Sequence, residues 1–163
     1  MTPDLPRILV KGGSDELVRL FQQYEAAFLV VGGTAVAMYG CRNPYEVDDF
    51  DILIEPTVPN AGKVIAALRA GFVAIPFAAE ALARPAVQVP LKVWHYWADV
   101  LTPEADTEFA GLLSRATPAQ IGHLTVPVIG RADLITMKER AVARDDTNRA
   151  KHERDLQCLK AEA

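Results

Sequence analysis

Two carboxylates separated by one residue, Asp49 and Asp51, could bind a divalent metal ion. They belong to a run that reads DFDILI, which is typical of the start of a buried β-strand. Because successive side chains of a strand alternate between its faces, we expect both carboxylates on one face, about 7 Å apart. Paired carboxylates on a rigid strand form a hard-oxygen site of the kind that Mg²⁺ prefers. A polar strand boundary without a ligand would show the same pattern.

A diglycine, Gly32-Gly33, lies between a short strand predicted over 28–31 and a helix predicted over 34–39. The exposed amides and the dipole at a helix N-terminus favour a phosphate there, and glycine lets the backbone approach it. A tight turn with no ligand would need the same residues. Next to a metal site, the diglycine predicts chemistry on a nucleoside triphosphate.

A third acid, Asp99, lies in an aromatic-rich stretch that is predicted as a strand over 93–101. Asp99 could join the metal site, end the strand or pair with a basic side chain. Nearby, Trp94, Tyr96 and Trp97 could stack a nucleobase. Core packing would explain them too, since Trp94 and Tyr96 share one face of a strand and Trp97 lies on the other.

The composition indicates one globular domain over residues 1–163. Half of the residues are hydrophobic and 23% are charged, which allows a sizeable core. We find neither an apolar run of about 18 residues nor a charged leader, so the sequence predicts no membrane span and no signal peptide. The net charge of −4 argues against a protein that coats nucleic acid nonspecifically. Cys41 and Cys158 are too few for a disulfide scaffold and lack metal-ligand spacing, so we expect a reduced, cytoplasmic protein in which Cys41 has no role.

Helical and strand patterns alternate along the chain. The predicted helices cover 14–25, 34–39, 61–70, 108–115, 132–144 and 147–160, with Ser14 and Asn60 as N-caps. The predicted strands cover 28–31, 49–54, 72–75, 93–101 and 124–129, and 76–90 carries no assignment. This alternation indicates an α/β layer structure, for which we expect a mixed sheet.

In this order, the segments VGGTAVAMYG, DFDIL and ADVLT resemble the nucleotidyltransferase superfamily of the DNA polymerase β type. Within it, the chain is similar to the small prokaryotic AbiEii-like and MNT-like toxin nucleotidyltransferases. NAGKVIAALRAGF resembles the family's helix after the metal strand. The tail resembles the family's C-terminal ending, and the recurring residues are Leu134, Ile135, Lys138, Arg144, Lys151 and Asp155. The resemblance covers roughly residues 14–160.

The resemblance implies a nucleotidyltransferase fold of the α/β (α+β) class, with a mixed central sheet flanked by helices and with C-terminal helices. It implies transfer of a nucleoside monophosphate from an NTP to a hydroxyl acceptor with Mg²⁺, or Mn²⁺ in its place. The implied catalytic and metal-binding residues are Asp49, Asp51 and Asp99. The implied nucleotide-binding residues are Gly32, Gly33, Thr34, Arg42 and Lys138. Asp99 could instead act partly as a general base, and Lys138 and Arg144 could instead be solvated helix residues.

The acceptor implied by the toxin-like resemblance is an RNA, such as a tRNA end, or a protein, and an antitoxin partner is expected. A small hydroxyl compound of the aminoglycoside or lincosamide type is the alternative. The spacer before Asp49 is longer than usual, and the family's Arg-x-Thr-x-Asp lead-in is replaced after Arg42 by NPYEV. A catalytically degenerate domain that binds a nucleotide or a partner is therefore a second hypothesis. A phosphohydrolase with Asp49 as nucleophile is a third, which the diglycine and the missing threonine after the acid pair disfavour.

Overall fold

Six strands form one mixed sheet in the computed structural model, which describes residues 12–92, 95–144 and 147–161. In chain order the strands are β1 (Phe28–Val31), β2 (Phe50–Ile54), β3 (Gln88–Pro90), β4 (Ala98–Leu101), β5 (Thr117–Ile121) and β6 (Leu124–Val128). Across the sheet the order is β3-β4-β2-β1-β6-β5. The pairs β2·β4 and β1·β6 are parallel, and the other three neighbouring pairs are antiparallel. The predicted mixed sheet is confirmed.

Helices and one short turn of 3₁₀ helix connect the strands. The helices are α1 (Ser14–Gln23), α2 (Gly32–Met38), α3 (Val58–Ala70), α4 (Ala79–Leu82), α5 (Phe109–Ser114), α6 (Arg131–Arg144) and α7 (Arg149–Ala161). The 3₁₀ turn covers Pro44–Glu46, in the loop that leads into β2. Helix α1 packs against α3 and β6, whereas α2 contacts β1, β2 and α6, and α6 packs along α7. Within the described residues, no helix is both long and apolar enough to cross a membrane.

The core is centred on β1, whose four residues are all buried. This strand has a neighbour on each side and helices over it, so its sequence FLVV is continuously apolar rather than alternating. Phe28 meets Phe21 of α1 edge to face, with ring centroids 5.7 Å apart. Such a core makes β1 and its neighbour β2 a rigid platform.

The capping residues of two helices differ from those predicted. Gly13, with φ 75°, occupies the N-cap of α1, so Ser14 is the first helical residue and is buried. Thr57 caps α3, because its hydroxyl oxygen accepts a hydrogen bond from the backbone N–H of Asn60. The helix therefore begins at Val58. The buried side-chain amide of Asn60 instead accepts a hydrogen bond from the backbone N–H of Ala27 and donates one to its carbonyl oxygen. It thereby satisfies the backbone groups of the residue that precedes β1.

The other differences between the predicted and the observed elements concern strands. The predicted strand over 72–75 is a turn, in which Phe72 has φ 65° and is exposed. The predicted strand over 93–101 is reduced to β4, and Val93 and Trp94 lie outside the described residues. The unassigned 76–90 contains α4 and β3. Strand β5, whose TPAQI sequence resembles a loop, forms a hairpin with β6 around Gly122.

Candidate active site

Asp51 and Asp99 face each other on adjacent parallel strands. They are Cα partners in the register of β2 and β4, so their side chains project from the same face of the sheet. Asp99 is only 5% exposed, and its Oδ1 has no hydrogen-bond partner within the described part of the chain. A buried carboxylate oxygen without a partner is costly unless a ligand or cation completes it. This pair was expected from the sequence, and β-pairing brings it together.

The surroundings disfavour two negative charges at this point. Burial raises the pKa of Asp51 to about 7, and the charges of Asp99 and Asp49 add to the effect. Burial and the charge of Asp49 also raise the pKa of Asp99, although Lys92 and a hydrogen bond from Gln88 offset part of this. A bound cation would remove the repulsion and favour the ionised carboxylates.

Asp49 lines the same cavity but points to another partner. It lies just before β2, where its Oδ2 accepts a hydrogen bond from Lys92 Nζ at 2.9 Å. That hydrogen bond raises the pKa of Lys92. Across residues 12–92, 95–144 and 147–161, no three Asp, Glu, His or Cys side chains form a ready-made metal cage. The residues fit a cation that brings most of its own ligands, as Mg²⁺ does with a triphosphate.

The diglycine leaves room for two side chains of the site. Gly32 has φ 65°, and a side chain there would overlap the Asp51 carboxylate. A side chain at Gly33 would overlap the guanidinium of Arg42. Both glycines belong to α2 and line the cavity of about 500 Å³ that contains the three acids. Thr34 is buried in α2 and is not among the described residues that line this cavity.

A basic cluster faces the acids across the cavity. Lys138 of α6 is 6% exposed, and its Nζ lies 3.1 Å from Oδ2 of the buried Asp155 of α7 and 3.2 Å from Nδ1 of His152. Arg42, in the loop after α2, also donates to the Asp155 carboxylate. Burial lowers the pKa of Lys138, and the charge of Asp155 opposes this.

The cavity therefore has acids on its sheet side and cations on its helix side. Besides Lys138 and Arg42, the cationic lining includes Arg144 and Lys151. Arg144 is exposed, as expected of a solvated helix residue, and it donates a hydrogen bond to Glu104. With a metal ion bound to the acids, the charge of a polyanion in the cavity would be neutralised by the metal on one side and by the basic side chains on the other.

A second cavity of about 580 Å³ continues along the same face of the sheet. Leu53 and Leu101 line it, two residues beyond the acids on β2 and β4, and α5 and α6 contribute its walls. The two cavities share Gln88, Leu101 and Arg144. A ligand in the second cavity would therefore adjoin the cavity that Asp99 lines.

The cysteines contradict the sequence-based interpretation. Cys41 and Cys158 form a disulfide, with Cα atoms 5.6 Å apart and a separation of 117 positions in the sequence. Cys41 is thus not a residue without a role, and the pair gives no support to a reduced protein. No local spacing pattern could have revealed a bond between residues so far apart.

The sequence gives little or no indication of the other residues of the site. Lys92 and Gln88 follow no motif, and only the β3·β4 pairing brings them to the acids. Of the aromatic candidates for base stacking, Tyr96 is buried in the core, Trp97 is 52% exposed, and Trp94 lies outside the described residues.

One solved structure of similar fold is the crystal structure of an antigenic nucleotidyltransferase-like protein from Paracoccidioides brasiliensis. It superimposes with a TM-score of 0.52 and 14% sequence identity, over 93% of this chain and 76% of that one. At this identity the likeness concerns the fold, so the predicted nucleotidyltransferase-like fold is confirmed. No family model matches the chain, and no curated protein sequence matches it significantly. The AbiEii-like and MNT-like resemblance stays a prediction.

Proposed function

From the nucleotidyltransferase-like fold and the site that it carries, we propose that this protein is a divalent-metal-dependent nucleotidyltransferase. It moves a nucleoside monophosphate from an NTP to a hydroxyl group and releases pyrophosphate. The observation that carries the proposal is the in-register pair Asp51 and Asp99, with a buried carboxylate oxygen that has no partner in the described chain. The raised pKa values of both acids give the same indication, since they mark a place that requires positive charge.

Asp51 and Asp99 would hold Mg²⁺, or Mn²⁺ in its place, and Asp49 would join them after leaving Lys92. When bound, the metal would polarise the α-phosphate and lower the pKa of the acceptor hydroxyl. Asp99 lines the first cavity two residues before Leu101, which lines both cavities, so it could orient the acceptor hydroxyl or accept its proton. Lys92, released from Asp49, remains at the rim as a counter-charge for the substrate.

The triphosphate would lie between the acids and the helix side of the cavity. Lys138 and Arg42 supply cations there, and the backbone of Gly32-Gly33 lets the phosphates approach closely. Thr34 is buried one residue further along α2, so any contribution from it would be through its backbone. The second cavity leaves room beside Asp99 for the acceptor.

Two classes of acceptor are proposed. The toxin-like resemblance favours RNA or a protein, in a protein that an antitoxin partner would control. The second cavity favours a small hydroxyl compound, because about 580 Å³ lies in the range of cavities that enclose small molecules. An RNA would need to present a single flipped nucleotide or a free end to reach Asp99.

The test is transfer of label from each of the four NTPs, carrying ³²P at the α-phosphate, to a cell extract or to candidate acceptors. Asp51→Asn and Asp99→Asn should lower the rate at least ~100-fold, because each removes a metal ligand. Asp15→Asn, on α1 and outside both cavities, is the matched control and should transfer label like the wild type.

Calorimetry separates the proposal from a degenerate domain. An active centre binds an NTP only when Mg²⁺ is added, and Asp51→Asn should abolish this dependence. Binding that ignores the metal, together with no transfer from any NTP, would leave a nucleotide- or partner-binding domain instead. Equal transfer by Asp51→Asn and the wild type would show that the assigned site is wrong.

A further inference from the structure

Two adjacent links join α7 to the loop that follows α2. The disulfide joins Cys41 to Cys158, and the ion pair joins Arg42 to Asp155. Asp155 and Cys158 are three residues apart on one helix, so they lie on the same face of α7, about one turn apart. The disulfide therefore fixes the part of α7 that presents Asp155.

Asp155 acts through two other side chains. Its carboxylate is 4% exposed and accepts from both Arg42 and Lys138, which themselves line the cavity of the acids. Asp155 is not among the described residues that line that cavity. With its charge removed, two buried cations would lie close together with no anion between them, and each would have to turn towards water.

Little else in α7 is buried. Of its thirteen residues, all of which the structure describes, Asp155 and Leu159 are the buried ones. The backbone oxygen of Leu159 accepts from Arg131, and Lys160 forms a surface ion pair with Glu139 at 3.4 Å. Helix α7 also packs along α6, where Lys138 contacts Asp155 and His152, and its remaining buried contacts are few. The covalent bond at Cys158 thus contributes a large part of its attachment.

Both cysteines of the disulfide are partly exposed, so we expect a small thiol to reach the bond. Cys41 and Cys158 are each half-buried rather than enclosed. A thiolate can attack one sulfur to form a mixed disulfide, and a second thiolate then releases the protein as two cysteine thiols and one external disulfide. The reductant supplies two electrons and two protons, and it is a low-molecular-weight dithiol or a pair of monothiols.

We propose that Asp155 is a positioning residue for the triphosphate-binding side chains Lys138 and Arg42, and that the Cys41–Cys158 disulfide keeps it in place, so that NTP binding depends on thiol redox state. This inference rests on the proposed function, because it assigns a task to the cations of that site. Reduction frees α7 to separate from the Cys41 loop, and Asp155 leaves Arg42 first. NTP is then bound more weakly, while the three acids on the sheet are undisturbed.

The experiment measures the KM for the NTP and kcat in the oxidised protein, in protein reduced with dithiothreitol, and in Cys158→Ser. Reduction and Cys158→Ser should each raise the KM roughly tenfold, in the range found when a partner of a ligand-binding residue is lost. The kcat should change less than twofold, and dithiothreitol should have no further effect on Cys158→Ser. A thiol count before and after reduction establishes the redox state of each sample.

Two further variants separate positioning from general loosening of α7. Asp155→Asn in the oxidised protein should raise the KM as reduction does, and Asp155→Glu should recover part of the loss. Lys160→Ala removes the surface ion pair with Glu139, which joins α7 to α6, and should leave the KM unchanged. Hydrogen exchange should show faster exchange in α7 after reduction, with β2 and β4 unaffected.

The outcomes are distinct for the two proposals. If no NTP is bound or transferred by the oxidised wild type, the proposed function fails, and the hydrogen-exchange result alone decides whether the disulfide holds α7. If the wild type transfers label but reduction and Asp155→Asn leave the KM unchanged, the positioning role is wrong and the proposed function stands. Two free thiols in protein prepared without a reductant would overturn the redox part.

Discussion

The acid pair on the sheet and the basic cluster on the helices both lie at one cavity, but they differ in charge balance. Asp51 and Asp99 are like charges held in register by β2 and β4, and one buried oxygen of Asp99 has no partner in the described chain. Lys138 and Arg42, in contrast, share the carboxylate of Asp155. The first group is electrostatically incomplete without a ligand, whereas the second is already paired.

The difference follows from the elements that carry each group. Neighbouring strands fix their Cα positions through the backbone, so the fold can force two carboxylates together and leave them unpaired. Lys138 and Asp155 lie on helices, and Arg42 lies in a loop, so their contacts depend on side chains and on the Cys41–Cys158 bond. Replacing a charge in each group should therefore change stability in opposite directions.

The largest effect is expected from Asp155→Asn. Two buried cations would lose their shared anion, and breaking a buried ion pair by removing one partner costs about 3–5 kcal/mol. Asp51→Asn, which removes one of two like charges, should not destabilise the protein and should stabilise it at pH 8. Urea unfolding of both variants and the wild type, under oxidising conditions and with EDTA, gives the two free energies. A loss of stability in Asp51→Asn as large as that in Asp155→Asn would contradict the comparison.

A smaller effect is expected from pH. In the unfolded chain the pKa of Asp51 returns to its ordinary value of 3.8, whereas in the folded protein it is about 7. Between these values the folded state binds more protons, so this group lowers the free energy of unfolding as the pH rises, by about 4 kcal/mol over the whole range and by about 3 kcal/mol between pH 5 and pH 8. The wild type should therefore lose more stability between pH 5 and pH 8 than Asp51→Asn does.

Urea unfolding at pH 5 and pH 8 in the presence of Mg²⁺ and an NTP tests whether the Asp51 carboxyl causes this pH dependence. A cation on the carboxylates favours their ionised form, so the added stability should be larger at pH 8 than at pH 5. Asp15→Asn is the control, since it removes a carboxylate of α1 and should follow the wild type at both pH values. Identical pH dependence in Asp51→Asn and the wild type would mean that burial does not hold the proton on Asp51.

The acids could be predicted from the sequence because their signals are local. The alternation of DFDILI places Asp51 on one face of its strand, and ADVL repeats an acid before apolar residues on β4. The family resemblance then joined Asp99 to the other two. Asp49 was expected to point with Asp51 into a metal site, and the structure adds that Lys92 already pairs with it.

The basic cluster could not be predicted to the same depth, because its contacts join distant parts of the chain. Arg42 and Asp155 are 113 residues apart, and Cys41 and Cys158 are 117 apart. Periodicity gives a helix and its apolar face, but not the register of one helix against a loop. The caps of α1 and α3 lie one and three residues before the predicted ones, because Gly13 caps α1 in a left-handed conformation and the Thr57 side chain caps α3.

The smallest effect concerns the diglycine, where each glycine touches one of the two groups. A methyl group at Gly32 meets Asp51, and one at Gly33 meets the Arg42 guanidinium. Gly33→Ala should cost about 1–3 kcal/mol, the usual penalty of overpacking. Gly62→Ala is the control, because nothing lies near that position of α3, and it should stabilise the protein by about 0.5–1 kcal/mol.

A double-mutant cycle assigns the cost of Gly33→Ala to Arg42. In an Arg42→Ala background the guanidinium is absent, so the added methyl group has no side chain to displace and the cost should fall to about zero. An unchanged cost would mean that Gly33 is required by the backbone of α2 itself. The packing of Arg42 against Gly33 would then not explain the cost. The two groups would be coupled only through the electrostatic effect of Lys138 on Asp51.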